Sequence, residues 1–324
     1  AKPVGTGPYR LVEMSPGTRY VLERFDDHFA GSIKSKPAVR RIVVRTMPEA
    51  STQYAELLAG RLDWIWRVPP DQARRLATQP AIQIVNGSIM RIGLIQFNAA
   101  GKGLPTADKR VRQAILHAVD REKIMGAFVG GASKIQHAAC NAAQFGCFQG
   151  VMRYAYDPGK AKALLAEAGH ANGLDMELLF SAMPRPQAEA IASDLGKVGI
   201  RTTLNEQQYA AAAQRWRGGG VPLMLGNWGS YGIADVLFIL DNFFAGGADD
   251  MARDPEIQGW LKTAATTNDQ KQREEAYKSA LTKIAAEAYW MSLWDFNVNY
   301  GLSKDLVFRP DADEYARWWD AKWK

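Results

Sequence analysis

The spacing of apolar and polar positions predicts two successive helices in the segment that follows Asn98. The first helix is expected to start near Thr106 or Asp108 and the second at Asp120, because short oxygen-bearing side chains accept hydrogen bonds from the free N–H groups of a first helical turn. Apolar residues recur at helical spacing in both segments. They are Val111, Ala114, Ile115 and Ala118 in the first segment, and Ile124, Ala127 and Phe128 in the second.

Elsewhere the pattern predicts a mixed α/β chain. In the first part, the expected elements are a hairpin that turns at 15–17, strands at 41–47, near Trp64 and around Ile84 and Ile92, and helices at 51–59 and 71–77. In the second part, they are strands at 176–180, 200–206, 223–228, 289–294 and 297–302, and a helix at about 270–288. Helices that alternate with strands are expected to cover a mostly parallel sheet. The Trp-rich tail is expected to pack a terminal helix on the core, and an exposed aromatic interaction patch is the alternative.

The composition is that of a packed globular protein, since 47% of the 324 residues are hydrophobic, and the length allows two domains. Residues 1–97 hold 14 Lys and Arg against 8 Asp and Glu, whereas residues 98–324 hold 26 of each kind. The formal net charge of +6 therefore arises in the first segment, either as a basic surface for a partner or as ordinary solvated charge. The sequence has no run of Lys and Arg with interleaved aromatic residues, which argues against nucleic-acid binding.

Cys140 and Cys147 are the two cysteines of the chain, and a bond between them would close an eight-residue ring. In an oxidising compartment such a disulfide would contribute roughly 2–3 kcal/mol, whereas a thiol pair in the cytosol would suggest metal or redox chemistry. The histidines lack the spacing of metal ligands, so a disulfide is predicted and a metal site is not. They are His28, His117, His137 and His170.

Three separated motifs occur in a fixed order along the chain. Residues 5–10 read GTGPYR and are followed by VLER at 21–24, Phe97 and Asn98 lead into RVRQAI and AVDREKI, and the DP that starts at Asp157 leads into KAKALLAEAG. The set is similar to the motifs of the extracellular solute-binding protein family 5, which contains the peptide, dipeptide and nickel receptors of bacterial ABC importers. The resemblance extends over essentially the whole chain.

The resemblance implies an α/β, two-lobed fold like that of periplasmic binding proteins, in the class that includes peptide-binding receptors. Residues 1–97 would form part of domain I, residues 98–292 domain II, and residues 293–324 the return to domain I and a C-terminal tail. The two crossings, near Asn98 and Asn297, would form a hinge beneath a ligand cleft. Family members carry a secretion signal, opening strands and a small domain before the first motif. The sequence is therefore expected to be a C-terminal portion with an incomplete first lobe, whose partner is the missing N-terminal portion.

The best candidate for ligand contact is the segment 227–235, which follows an apolar strand, because α/β proteins place ligands at strand ends. It resembles the family motif GWxxDYPDPDNF, whose Trp-Gly backbone lines the pocket and whose acidic residue can pair with the α-ammonium of a dipeptide. Tyr231 or its neighbour stands at the acidic position, and Asp235 remains as the nearby carboxylate. The predicted ligand-binding residues are Asn227, Trp228, Gly229, Ser230, Tyr231, Asp235, Trp294 and Asp295.

Several of these residues also have a purely structural interpretation. Trp228 could pack beneath a loop, Asp235 could cap the helix that follows it, and Trp294 could pack at the hinge. Asn98 is expected to fasten the backbone at the hinge rather than to contact a ligand.

Together with the resemblance, these features predict the solute-binding component of a bacterial ABC importer. It would capture a peptide-like or other small polar solute in the cleft and deliver it to permease subunits, in the periplasm or tethered by a lipid outside the cytoplasmic membrane. No enzyme and no cofactor are predicted, because the chain has neither a Gly-rich phosphate loop before a helix nor a G-x-S-x-G elbow. The alternatives are a ligand-sensing module of a transcriptional regulator, which the cysteine pair disfavours, and, with less support, a small-amide hydrolase.

Overall fold

The computed structural model describes residues 3–29, 31–34, 36–130 and 133–324. The chain divides into two compact units. Unit 1 comprises Ala1–Ser88 and Asn297–Lys324, and unit 2 comprises Ile89–Phe296. Within the described ranges, every helix is too short or too polar to cross a membrane.

The helices and strands follow one another in mixed order along the chain. The strands are β1 Tyr9–Ser15, β2 Arg19–Arg24, β3 Arg41–Arg45, β4 Trp64–Ile65, β5 Ile82–Phe97, β6 Leu174–Phe180, β7 Ile200–Glu206, β8 Leu223–Gly229, β9 Trp290–Ser303, β10 Leu306–Val307 and β11 Lys322–Trp323. The α-helices are α1 Ala50–Leu58, α2 Pro70–Leu76, α3 Lys109–Ala118, α4 Arg121–Phe128, α5 Pro158–Glu167, α6 Arg185–Lys197, α7 Tyr209–Arg217, α8 Leu237–Phe244, α9 Pro255–Thr266 and α10 Gln270–Ala286.

Unit 1 contains an antiparallel sheet in the order β1, β2, β3. The predicted hairpin is confirmed, since Thr18 N donates to Ser15 O at 3.0 Å and Gly17 takes a φ of 74° in the turn. Glycine suits this position because it has no Cβ to clash in the left-handed region. A separate small core in the same unit lies between α1, α2 and β4 and includes Leu57 and Ile65.

The predicted terminal helix is wrong. Residues 308–321 form turns and irregular backbone, and β11 pairs with β10. Glu314 takes a φ of 66°, outside the right-handed helical region, and Asp313 Oδ1 accepts a hydrogen bond from Tyr315 N at 3.0 Å, so the backbone turns here instead of following a helix. The predicted packing of the tail is nevertheless found at Trp318, whose ring lies 5.1 Å from that of Trp64 and 5.5 Å from that of Phe308.

The sheet in unit 2 has β8 between β5 and β6, with β7 beyond β6. β6 runs parallel to both β7 and β8, whereas β5 runs antiparallel to β8. Successive residues of β6 point to opposite faces of the sheet. Leu178 and Phe180 pack in a core with α3 and α6, and Leu179 packs with α7 on the other face. Helices therefore cover both faces, and the pairing is mixed rather than wholly parallel.

Two strands are longer than predicted. The separate strands expected around Ile84 and Ile92 are one strand of 16 residues, β5. Gly87 lies within it, and a Cβ at that position would stand 2.5 Å from Pro310 Cβ, so glycine permits a close approach there. The break expected between the strands at 289–294 and 297–302 is also wrong, because Asp295 N donates to Lys134 O at 3.0 Å and β9 continues through Asp295.

The signature segment after Asn98 forms α3 and α4, as predicted. Asp108 accepts a hydrogen bond from Arg110 N at 2.8 Å, and Asp120 accepts one from Lys123 N at 3.0 Å. These two contacts satisfy N–H groups in the first turn of each helix, where no backbone acceptor is available. Asp108 rather than Thr106 is therefore the cap of α3.

Two buried arginines of the signature segment bind backbone carbonyls. Arg121 donates to Gln136 O at 3.0 Å, Ser292 O at 2.7 Å and Tyr154 O at 3.2 Å. Arg112 likewise donates to the carbonyls of residues 106, 107, 287 and 288. Burial lowers the pKa of Arg121 to about 10, which leaves the guanidinium charged at neutral pH. The two arginines therefore fasten α3 and α4 to the loops and to the start of β9.

Candidate functional site

The segment predicted to contact the ligand, residues 227–235, is called the ligand loop; it begins inside β8 and continues beyond the end of that strand. Asn227 Oδ1 accepts a hydrogen bond from Arg91 Nη1 at 2.6 Å, and its Nδ2 donates to Ala182 O at 2.6 Å. Ala182 lies just after β6, the neighbouring parallel strand. Asn227 therefore links the last part of β8 to the middle of β5 and to the segment that follows β6.

Trp228 and Gly229 complete β8. The ring of Trp228 lies 5.0 Å from that of Phe243 in an edge-to-face arrangement and 5.7 Å from that of Phe238. The side chain is only partly buried, so both of its interpretations stand: it packs against α8 and still presents surface. At Gly229, a Cβ would lie 2.8 Å from the guanidinium carbon of Arg91, so a larger residue would require that side chain to shift.

The loop then turns through Ser230 and Tyr231. Ser230 is buried, and its backbone N donates to Met90 O at 3.1 Å. Tyr231 takes a φ of 45°, is 55% exposed and has its ring centre 5.1 Å from the guanidinium of Arg91. The loop thus fixes Ser230 in the fold and presents the aromatic ring of Tyr231 at the surface.

Asp235 is engaged inside unit 2. Its Oδ1 accepts hydrogen bonds from Leu237 N and Tyr277 Oη, both at 2.9 Å, and its Oδ2 accepts one from Arg273. Burial raises the pKa of Tyr277 to about 12, and its hydrogen bond to the Asp235 carboxylate adds to that rise, whereas the one from Arg273 opposes it. The carboxylate therefore has a cation and two further donors before any ligand binds. The helix-capping interpretation of Asp235 gains support from the Leu237 contact.

The disulfide between Cys140 and Cys147 is present, with the two Cα atoms 5.8 Å apart. The ring that it closes supports the ligand loop from one side. Phe145 N donates to Ala234 O at 2.8 Å, and Val236 N donates to Phe145 O at 3.1 Å. Phe145 in the disulfide ring and Asp235 at the end of the ligand loop therefore form a parallel β-bridge.

Trp294 and Asp295 lie in β9 rather than in this loop. Trp294 is fully buried in the core of unit 2 beside Gly93, where a Cβ would stand 3.3 Å from its Nε1. Asp295 Oδ1 accepts a hydrogen bond from Lys134 N at 2.6 Å, and burial raises the pKa of Asp295 above its ordinary value. The packing alternative therefore has direct support at Trp294, and ligand contact by either residue stays a prediction.

The two predicted hinge residues differ in position. Asn98 is buried inside unit 2, where its Nδ2 donates to Gly219 O at 2.8 Å and its N donates to Pro222 O at 3.0 Å. Asn297 is the first residue of the second segment of unit 1, within β9. The division between the units falls inside β5, after Ser88, and so before Asn98. A hinge at either asparagine stays a prediction.

A cavity of about 100 Å³ lies beside the ligand loop, within unit 2. We call it the indole cavity, because two tryptophans, Trp216 of α7 and Trp228 of β8, are among its lining residues. Gln96 of β5 lines it as well and is buried. Sequence reasoning missed Gln96 and Trp216, although a glutamine within the apolar run of β5 is a visible signal, since a buried polar side chain needs a reason.

Metal binding finds no geometric support here. In the ranges that the structure describes, no three side chains of His, Cys, Asp or Glu lie close enough together to hold an ion. Burial together with Arg121 and Arg153 lowers the pKa of His137 to about 4, so its ring is neutral at neutral pH.

Comparison with known proteins places these features in a family. Residues 1–251 match the bacterial extracellular solute-binding proteins, family 5 Middle. Heme-binding protein A of Haemophilus influenzae is 28% identical over 302 residues, which are 90% of this chain and 54% of that protein. The dipeptide-binding protein of Escherichia coli is 27% identical over 292 residues, 86% of this chain and 53% of that protein. The chain thus spans about half the length of these relatives.

A solved structure shares the fold. The dipeptide-binding protein from Pseudoalteromonas sp. SM9913, in complex with Met-Leu, superposes with a TM-score of 0.79 at 24% identity. The superposition covers 100% of this chain and 65% of that chain. The motifs of residues 5–10, 97–124 and 157–169 and the family match over 1–251 agree with this likeness. The chain belongs to the bacterial extracellular solute-binding proteins of family 5.

Proposed function

We propose that this chain is the solute-binding part of a receptor for a bacterial ABC importer, and that the loop at 227–235 contacts the solute. One observation carries the proposal: Asn227 and Trp228, at the end of β8, line a cavity within unit 2. Strand ends and preformed cavities are where α/β proteins hold small ligands. The proposed solute is peptide-like or another small polar molecule.

Binding without chemical turnover is part of the proposal. The family is described by solute binding, and the relatives named above are a haem-binding and a dipeptide-binding protein. The proposed partners are the permease subunits of the importer. Neither relative supports the alternative of a transcriptional regulator.

The proposed location is the periplasm, or the outer side of the cytoplasmic membrane with a lipid anchor. Two observations support it, namely the extracellular family and the disulfide between Cys140 and Cys147. Disulfides persist in oxidising compartments and are rare in the cytosol.

Native mass spectrometry tests the binding proposal even though the solute is unidentified. The protein is purified, without reductant, from the periplasm of an expression host, and any carried molecule is identified after denaturation. Calorimetry on the stripped protein then uses two defined probes, the dipeptide Met-Leu and haem. We expect a carried small solute or saturable binding of a probe. A protein that carries nothing and binds neither probe would contradict the proposal.

A pair of variants tests the place of binding. Trp228→Ala is expected to weaken binding of the solute at least tenfold, about 1.4 kcal/mol, because it removes an aromatic wall. Tyr156→Ala is the control, since Tyr156 is an exposed aromatic residue of unit 2 that does not line the indole cavity. Equal affinities of the two variants would show that the solute binds elsewhere.

We propose further that unit 1 is completed by polypeptide outside this chain. β3 is an edge strand whose Val43 and Val44 are both more than 40% exposed. Beside it lies an apolar groove that is also lined by two exposed aromatic residues, Trp66 and Trp323. An exposed apolar edge strand is a template for pairing with a further strand. This chain spans about half the length of the two relatives. The other half of a protein of that length would be long enough to supply the further strand.

Self-association of the chain tests this second proposal. Without its covering strand, the groove is expected to bind a hydrophobic dye and to promote oligomers, which Val43→Lys combined with Val44→Lys should reduce. Val12→Lys serves as the control because Val12 is exposed on β1, the opposite edge strand. If the double variant and the control behaved alike in sedimentation and dye binding, the groove would not be an open interface. An extended protein that includes the covering polypeptide should bind solute at least tenfold more tightly, about 1.4 kcal/mol.

A further inference from the structure

Gly226 of β8 is a glycine that neither its backbone nor its packing requires. Its φ lies outside the left-handed region that favours glycine, and it pairs with Leu94 of β5 in an unbroken register. The nearest described atom to a Cβ built on it is Ser181 O, at an ordinary contact distance of 3.9 Å. Glycine inside a strand is unfavourable compared with alanine, because a flexible backbone is ordered and no side chain is packed. Such a glycine often marks a place that a ligand approaches closely.

The other glycines in the described strands differ from Gly226. They are Gly87 and Gly93 of β5, Gly229 of β8 and Gly301 of β9. At each of these four positions, a Cβ would stand 3.3 Å or less from an atom of a neighbouring side chain. Close packing therefore gives a reason for glycine at those positions, whereas Gly226 faces open space.

The open space beside Gly226 is the indole cavity. Met224, Gly226 and Trp228 are alternate residues of β8, so they lie on one face of the sheet, and all three line the cavity. Ala182 and Tyr209 also line it, and both are exposed. The cavity therefore reaches the surface of unit 2, where a group of a dissolved molecule can enter it.

The lining favours an uncharged, apolar group. Arg217 and Asp249 are the charged residues among the described lining residues, and Arg217 donates two hydrogen bonds to Asp249, both at 2.8 Å. Because these charges compensate each other, a charged group in the cavity would lose its hydration without gaining a free counter-ion. Uncharged amides line the cavity at Gln96, Asn227 and Asn242. Apolar side chains from four elements of unit 2 line it as well, namely Leu94, Ala213, Met224 and Phe243.

We infer that the indole cavity receives an apolar side chain of the solute, and that Gly226 sets the size of the side chain that fits. The inference rests on the proposed function and names the part of the solute that this cavity takes. The cavity measures about 100 Å³, and since an apolar cavity of about 150 Å³ holds benzene, a group of roughly three or four carbon atoms fits. A side chain at position 226 would occupy part of that space.

Xenon, which binds apolar cavities, tests the character of the cavity without the natural solute. The methyl signals of the methionines are followed by NMR while the protein is equilibrated with xenon, and the Met224 signal is assigned with Met224→Leu. We expect a saturable shift at Met224 and none at Met291, which is fully buried in another core of unit 2. An unshifted Met224 signal would overturn the inference, because the cavity would then not accept an apolar group.

Two alanine variants separate a ligand-related glycine from a structural one. Gly226→Ala should keep or raise the unfolding temperature, because its Cβ enters open space. Gly93→Ala should lower it, because its Cβ would stand 3.3 Å from Trp294 Nε1 and 3.5 Å from Leu293 Cβ. A clear fall for Gly226→Ala would show that the fold requires this glycine, and the inference would lose its basis.

Gly226→Val tests whether the solute uses the cavity. The molecule carried by the wild type, or Met-Leu if none is carried, is titrated into stripped protein by calorimetry. We expect Gly226→Val to weaken binding at least tenfold. Gly126→Val is the matched control, because it makes the same change at an exposed position of α4 and should bind like the wild type.

The outcomes distinguish this inference from the proposed function. If Gly226→Val binds the solute as tightly as the wild type does, the inference is wrong and the proposed function stands. If the wild type carries nothing and binds neither Met-Leu nor haem, the proposed function fails, and the inference fails with it even if Met224 responds to xenon.

Discussion

Arg273 and Asp235, 38 residues apart, form an ion pair that also includes the hydroxyl of Tyr277. Both charged side chains are about one quarter exposed, so water screens the pair only in part. The pair joins α10 to the end of the ligand loop. It gives the Asp235 carboxylate a structural role within unit 2.

Asp235→Asn should therefore lower the free energy of unfolding by about 1–2 kcal/mol, because it leaves Arg273 without its partner. Solute affinity should change less than threefold, since the carboxylate is not available to the solute. Urea unfolding and calorimetry provide the two measurements. Asp175→Asn is the matched control, because its pair with Arg201 is exposed to solvent and its loss should leave the stability nearly unchanged. A large loss of affinity with unchanged stability would make Asp235 a ligand residue after all.

Replacement of Cys140 and Cys147 together by alanine should lower the free energy of unfolding by about 2–3 kcal/mol, as expected for a short ring. The ligand loop should also loosen, because Val236 N donates to Phe145 O inside the ring. Hydrogen exchange at the Val236 amide is therefore expected to accelerate. The Ser230 amide, which donates to Met90 O, reports on the same loop away from the ring and should keep its rate. Unchanged exchange at Val236 would show that the ring does not support the loop.

Arg121→Met should destabilise the protein by about 3–5 kcal/mol, because three buried carbonyls lose their donor together. Arg110→Met is the control from the same signature segment. Arg110 is half exposed and pairs with Asp108, so its loss should cost far less stability than the loss of Arg121. Urea unfolding of both variants gives the comparison, and similar losses would refute the role of Arg121 as a buried fastener.

His137 should make the protein less stable in acid. Burial, Arg121 and Arg153 lower its pKa in the folded state to about 4, below the ordinary value of 6.5. Between pH 6.5 and 4 the unfolded chain therefore binds a proton that the folded chain does not, and stability falls as the pH falls. The partial exposure of the ring limits the effect to about 1–2 kcal/mol.

The test for His137 is the pH dependence of unfolding. Between pH 6.5 and 4, the free energy of unfolding should fall by about 1–2 kcal/mol less in His137→Gln than in the wild type. Titration of the His137 ring by NMR gives an independent check, and a midpoint near 6.5 would contradict the prediction.

Local signals in the sequence are sufficient for much of the fold. The caps Asp108 and Asp120 act within three residues of themselves, and the hairpin closes at Gly17, so neighbouring residues determine both features. The predicted terminal helix is wrong although Tyr315, Trp318 and Trp319 recur at helical spacing, because the backbone turns at Glu314 and the end of the tail pairs with β10. The break expected in β9 is wrong because the N–H of Asp295 finds its acceptor at Lys134.

The site is harder to predict than the fold. The sequence indicates that Asp235 follows a strand and precedes a helix, but not that Arg273 reaches it from α10. Gln96 and Trp216 meet at the indole cavity from β5 and α7, far apart in the chain. Such contacts depend on tertiary packing, which a single sequence does not display.

The hydrogen bonds of Arg121 run to main-chain oxygens of Gln136, Tyr154 and Ser292. Every amino acid supplies such an oxygen, so these three positions can change their side chains without loss of the contact. The guanidinium has no such freedom, because lysine cannot reproduce its planar set of donors. Mutational tolerance should therefore be unequal across a single contact: broad at the three acceptor positions, and narrow at Arg121.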